Sequence, residues 1–384
     1  MKAWLGLLLC ALLASCATAP ERLPQADRFF NDARFGPPSE RIHAEDVFAL
    51  SPEMKRYLEQ AMPDKVRAGG VRQGLVDALY STGELKLEYD STMTRNASQA
   101  FAARTGNCLS LVIMTSAFAK ELGLAVYYQS VFTDETWSRS GDIYFVIDHV
   151  NLSLGTRVSE IDRGARFQPV LTVDFLPPQD VAKQRARVLP EYTVVSMYMN
   201  NRAAESLARG RLDDAYWWAR EAVLQDPALA RAYNTLGVVY RRHGDLAEAE
   251  RVLRHALDIE PASPQIVANL AQVLTDRGRI AEAGAMKVRL AQLEKEPPFI
   301  FFQRGQEALR NGDYVAARDL FAREVARAPY YHEFHYALAL AYAKLGDAAR
   351  ARKHLALAME SSTTRSDHDL YAAKLDRIRA VQVH

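Results

Sequence analysis

Residues 230–263 read ARAYNTLGVVYRRHGDLAEAERVLRHALDIEPAS. Large side chains at Tyr233, Leu236, Tyr240 and Leu253 alternate with small ones at Gly237, Ala249 and Ala256 at helical spacing. Gly244 interrupts the run, and Pro261 closes it. The pattern predicts two helices that approach closely where the small residues lie, with a glycine turn between them. It returns every 34 residues, and Gly210, Gly244, Gly278, Gly312 and Gly346 mark the turns. One step back stand Ala215, Ala222 and Pro227; one step forward, Leu270, Ala271 and Ala283. Two further steps give Gly305, Ala317, Phe321 and Pro329, then Leu338, Ala339, Tyr342, Ala351, Leu355 and Ala358. A single unit cannot bury its apolar face alone, so stacking must supply the core.

This arrangement resembles the tetratricopeptide repeat, with five units over residues 196–365 and a capping helix over 366–384. The resemblance implies an all-α right-handed superhelix whose concave face binds extended peptides or another protein. On the first helices of the units, Asn200, Arg231, Asn234, Arg241 and Gln272 are the candidate partner-binding residues. They fit ordinary exposed polar positions equally well.

The start of the chain is different. Met1-Lys2 precedes an apolar run from Ala3 to Ala14, and the stretch ends Leu13-Ala14-Ser15-Cys16. A basic start, a short apolar run and small residues describe a secretory signal. The run is too short to span a bilayer. Its end resembles the bacterial lipobox, which implies a signal peptide over 1–15, acylation at Cys16 and attachment to a membrane. Ala17 follows the cysteine, and an outer-membrane lipoprotein facing the periplasm is the expected address. Residues 16–44, polar with scattered prolines, are expected to form a tether.

Between 45 and 190 the periodicity changes. Runs rich in β-branched and aromatic residues at 126–132, 143–154 and 170–175 predict strands. Ahead of them stands Arg104-Thr105-Gly106-Asn107-Cys108-Leu109-Ser110-Leu111, followed by a helical run that stops at Gly123. Cys108 is therefore expected at a helix N-terminus, where the helix dipole and unused backbone N–H groups favour a thiolate and an oxyanion beside it. His149 in a predicted strand and Asp174 at the end of the next supply a proton shuttle and an orienting carboxylate. Asp142 and Asp148 compete with Asp174 for the last role, although Asp148 adjoins His149 and should face the other way.

The order Cys108, His149-Val150, Asp174 resembles the transglutaminase-like superfamily. That likeness implies an α+β papain/transglutaminase-like domain ahead of the all-α tetratricopeptide superhelix, with Cys108, His149 and Asp174 as catalytic residues. Asn151-Leu152-Ser153 and the delayed Pro177 depart from the family pattern. Read alone, Cys108 also fits a buried packing thiol.

Composition narrows the rest. The chain has 384 residues, formal net charge +1 and interspersed acids and bases, which gives no footprint for nucleic acid. Three cysteines, two of them in the first sixteen residues, exclude a disulfide framework. No metal and no cofactor is expected, and His332 and His335 read as a surface pair on a repeat helix. Two functions fit. One is a cysteine protease, amidase or acyltransferase acting on a protein or peptide substrate. The other is an inactive envelope adaptor that binds a protein partner through its repeats.

Overall fold

The computed structural model describes residues 26–80, 88–89, 93–140, 143–157, 170–175, 186–329, 331–362 and 365–381. The expected signal peptide, Cys16 and Asp142 lie outside them, as do the side chains of Asp148 and His149.

Helix α1 (Pro52–Tyr80) contains Pro63 and kinks at Gly70, where φ is 78°. Helix α2 (Ala97–Ala103) begins in a reciprocal capping box between Asn96 and Gln99. Helix α3 (Cys108–Glu121) is buried from Cys108 through Ala119, as its nearly continuous apolar and small residues require. Strands β1 (Glu88–Tyr89) and β2 (Thr105–Gly106) form a short parallel pair. A second sheet comprises β3 (Leu124–Ser140), β4 (Ile143–Arg157), β5 (Leu171–Val173) and β6 (Ala186–Leu189). Its order is β5-β4-β3-β6, and every pairing is antiparallel. Val150, Leu152 and Leu154 alternate along β4 and are buried. Tyr128, opposite Leu152 on β3, meets Ser116 of α3 through its hydroxyl, so α3 covers this face of the sheet.

Ten helices then form five hairpins: α4 (Glu191–Ala208) with α5 (Leu212–Gln225), α6 (Ala230–His243) with α7 (Leu246–Ile259), and α8 (Pro264–Asp276) with α9 (Ile280–Leu293). The last two are α10 (Ile300–Arg310) with α11 (Tyr314–Arg327) and α12 (His332–Lys344) with α13 (Ala348–Glu360). Helix α14 (Arg365–Val381) follows. All five turn glycines have positive φ, between 73° and 94°, where a Cβ would be strained.

Two features differ from the sequence reading. The tether does not hold for residues 26–44. Phe29 and Phe35 are buried, and this stretch packs across α5, α6 and α7. Two large aromatic side chains among polar residues outweigh the scattered prolines that suggested a loose chain. The repeat period is also unbroken while the core is not. One buried cluster runs from Ala26 to Ala283, a second from Phe299 to Leu338 and Ala341, and a small third joins Ala339, Leu355 and Leu375. The cause lies in α9. Where α7 buries Leu253, the residue one period later is Lys287, and α9 buries only Ala283. Ile280 and Val288 remain 65% and 61% exposed. Beyond α9, Pro297-Pro298 leads to Phe299, whose φ of 62° is rare for so bulky a residue. The buried Glu324 carboxylate accepts the Phe301 and Phe302 N–H groups (2.9 and 3.2 Å) and satisfies the start of α10.

Close approach tests this division. A Cβ at Gly237 would lie 2.6 Å from Leu253 Cγ, and one at Gly305 2.6 Å from Phe321 Cε1. Each glycine-to-alanine change should cost about 1–3 kcal/mol by overpacking. Hydrogen exchange should accelerate in α6–α7 for Gly237→Ala and in α10–α11 for Gly305→Ala, with little transfer to the other core. Equal acceleration of both cores by either variant would contradict separate packing of α6–α7 and α10–α11.

Candidate functional site

Cys108 is the first residue of α3, and its position is set from several sides. Arg104 turns the chain out of α2 with φ 54°. Thr105 and Gly106 pair with Glu88 and Tyr89. Asn107 then caps α3: its Oδ1 accepts the Ser110 N–H at 2.9 Å and the Ser110 hydroxyl at 2.8 Å. Ser110 Oγ in turn accepts the Arg95 N–H at 2.8 Å. A Cβ at residue 106 would sit 2.7 Å from Ser110 Cβ, so Gly106 is required by packing. The thiol is 6% exposed, in the helical turn whose N–H groups have no intrahelical partner.

The cap connects to the first repeat. Asn107 Nδ2 donates to Thr94 Oγ1 at 2.9 Å. The Thr94 N–H donates to Glu205 Oε1 of α4 at 2.6 Å, and the Thr94 carbonyl accepts from Arg202 at 3.4 Å. Burial pushes the Glu205 carboxyl above the usual carboxylate range, against the pull of the Thr94 N–H and Arg202.

Asp174 directly follows β5. Asn151 Nδ2 donates to its Oδ2 at 2.7 Å, beside the hydroxyl contact of Ser153 with Thr172 at 2.9 Å. Asn151 is buried, and its Oδ1 has no hydrogen-bond partner. The histidine position, 149, lies on β4 two residues before Asn151, in register with Val131. The structure thus joins Asp174 to a residue that sequence reading counted only as a departure. The alternation that puts Asn151 and Ser153 on one face of β4 was the available signal.

Of the five partner-binding candidates, three belong to a polar ladder on the first helices. Asn234 accepts from Asn269 at 2.9 Å. Arg241 donates to Gln272 at 2.6 Å and to Asp276 at 2.7 Å. Asn269 and Asp276 were not anticipated. Arg231 stands at the start of α6 and Asn200 on α4. The Oδ1 of Asn200 is buried without a hydrogen-bond partner.

His332 and His335 are not on the surface as expected: they are 8% and 3% exposed. His332 Nδ1 bonds the Tyr371 hydroxyl of α14 at 2.7 Å. His335 Nε2 lies 2.7 Å from the Pro329 carbonyl, so it donates there. His335 Nδ1 is then an acceptor, and His354 Nδ1, 3.0 Å away, is the donor. Helix α14 covers residues that the repeat pattern alone leaves open. Among the described residues, no three His, Cys, Asp or Glu side chains form a metal-holding group, and no helix is long and apolar enough to cross a membrane.

The repeats also match a known family. The tetratricopeptide repeat family matches residues 240–292 and 302–364. Human tetratricopeptide repeat protein 7B is 27% identical over 106 residues, which are 28% of this chain and 12% of that protein. The chain therefore spans about an eighth of that relative's length. Among solved structures, YrrB, described as a TPR protein with an unusual peptide-binding site, is 22% identical, with 47% of this chain and 92% of that one covered at a TM-score of 0.25. PilF of Pseudomonas aeruginosa is 19% identical, covering 49% and 94% at 0.28. The C-terminal part of the chain is a tetratricopeptide-type superhelix, an architecture that binds protein partners.

The histidine pair carries a pH dependence. Burial lowers the pKa of His335, and burial followed by the neighbouring His335 and Lys353 lowers that of His354 to about 4. Below the ordinary value of 6.5 the unfolded chain binds protons that the folded pair refuses. Stability of α12–α14 is therefore full at neutral pH and declines as pH falls from 6.5 toward 4. Thermal unfolding between pH 7 and pH 4.5 should show this decline, and His354→Phe should reduce it. A pH-independent midpoint would contradict the assignment of both neutral rings.

Proposed function

We propose that the chain is an envelope lipoprotein, acylated at Cys16, whose repeats hold a protein partner and whose Cys108 performs thiol-dependent chemistry on a protein or peptide amide. The observation that carries the reading is Cys108 in the first turn of α3, held by the Asn107 cap and linked through Thr94 to the first repeat. In this reaction the sulfur attacks the amide carbonyl carbon. The C–N bond breaks, the imidazole of His149 delivers a proton to the departing amine, and a thioester remains. Water or a second amine then attacks the thioester and releases the thiol. Backbone N–H groups of the α3 first turn stabilise the oxyanion, and Asp174 orients His149.

A second reading has its own support. Cys108 is nearly buried, and Asp174 is already engaged by the Asn151 amide. These are the features of a packed thiol in an anchored adaptor.

Cys108→Ala in the full chain separates the two. The enzyme reading expects loss of peptide-amide turnover by at least roughly a thousand-fold, with unchanged thermal midpoint and unchanged capture of partner by the repeats. Iodoacetamide should label the unsubstituted chain at Cys108 at neutral pH faster than an ordinary thiol. Absence of turnover and of labelling in the unsubstituted chain would leave the adaptor. Incorporation of labelled palmitate, lost in Cys16→Ala, checks the anchor separately.

A further inference from the structure

The segment 26–46 meets the repeats in the manner of a bound peptide. It contacts α5 and α7, the second helices of the first two hairpins, and α6 between them, and the surface that these three helices present to it is its groove. Of its three phenylalanines, the two buried ones, Phe29 and Phe35, lie six positions apart and enter at two places along α6, while Phe30 is partly buried under the Arg220 guanidinium. Phe29 packs edge-on against Tyr233 and stacks on His255 at a centroid distance of 4.6 Å. Phe35 stacks on Tyr216 at 3.9 Å with an interplanar angle of 5°, and leans toward Tyr240 at 5.8 Å. Tyr233 and Tyr240 are two helical turns apart, so one face of α6 presents both rings.

Between and beyond the anchors the backbone is read directly. The Tyr216 hydroxyl accepts the Asn31 N–H at 2.8 Å, and the Tyr240 hydroxyl donates to the Phe29 carbonyl at 2.8 Å. Asp213 accepts the Gly36 N–H at 2.9 Å, while Trp217 Nε1 donates to the Gly36 carbonyl at 2.6 Å. A Cβ at residue 36 would lie 3.2 Å from the Asp213 carboxylate, which favours glycine there. Asp214 accepts both the N–H and the hydroxyl of Ser39, each at 2.7 Å. Arg34 adds an ion pair to Asp245 at 2.6 Å.

Apart from three single 3₁₀ turns the segment has no helix, and it belongs to no sheet. Its internal backbone hydrogen bonds are those of these short turns, and between them its path follows the contacts with α5, α6 and α7. We propose that the groove between α5 and α7 is a recognition site for an extended segment with two aromatic anchors six residues apart, and that residues 26–46 of the same chain are its resident ligand. Asp213 and Asp214 select exposed backbone N–H groups, and the tyrosines of α6 select the rings. The occupied groove is closed to partners, which leaves them the first-helix ladder of Asn234, Arg241 and Gln272. The inference does not depend on the thiol chemistry.

The test uses the full chain carrying Phe29→Ala and Phe35→Ala, and a synthetic peptide of residues 26–46. Exchange of the amides of residues 29–40 should accelerate roughly ten-fold or more while α8 and α10–α13 keep their protection. The peptide should then bind saturably to the variant and restore slow exchange in α5 and α7. The unsubstituted chain should take up the same peptide at least roughly ten-fold more weakly, since its groove is filled. Unchanged exchange in the variant, failure of the peptide to bind a released groove, or equal binding by both chains would each overturn the proposal. Should the double variant unfold, Arg34→Ala with Ser39→Ala removes only edge contacts. Faster exchange at residues 29–40 supports the site there, and no change refutes it.

Discussion

A single buried guanidinium ties the N-terminal half of the molecule together. Arg202, on α4, is 3% exposed. It pairs with Glu40 of the segment 26–46 at 2.8 Å, reaches the Thr94 carbonyl ahead of α2, lies within 3.7 Å of Glu205, and sits over the Trp218 ring at 5.3 Å. Three stretches remote in sequence converge on one cation. A charge so placed is costly unless every partner is present, and removing one leaves the others unpaired in a dry environment. Trp218 also donates to Glu40 at 3.1 Å, so the carboxylate is held from two sides. The sheet-bearing unit and the first repeat consequently share a core and are not beads on a string.

That junction reaches the cysteine. Thr94 receives contacts from Arg202 and from Asn201, donates its N–H to Glu205, and accepts from Asn107, the residue that caps the helix beginning with Cys108. This is a contiguous set of hydrogen bonds, and its presence gives a physical reason for placing the repeats directly after the sheet.

The opposite end of the array is organised differently. Lys287 stands where an apolar residue would lock α9 to its partner, so the first core ends there. A second core starts at Phe299, and beyond it Leu375 of α14 packs with Ala339 and Leu355 in a further cluster while Tyr371 bonds the buried His332. A regular period in sequence thus coexists with separate packing units. The turn glycines set the period, while the polar Lys287 and the lone buried Ala283 of α9 mark where the first core ends.

The sequence by itself determined the local geometry. Helical spacing, the turn glycines and the Gly-Asn before Cys108 specify helix lengths, turns and the cap. These depend on residues a few positions apart, and α3 through β5 and the five hairpins appear where that spacing puts them. Tertiary structure alone decided what meets across long separations. Phe29 and Phe35 looked like residues of a tether because their partners, Tyr216 and Tyr233, lie about two hundred positions away. His332 looked exposed because the helix that buries it comes after the repeats, and His335 because His354 and the Pro329 carbonyl meet it from outside its own helix. Asn151 looked like a departure until β5 brought Asp174 beside it. Burial and hydrogen bonding are properties of space, and a linear pattern reports them only where contacts are close along the chain.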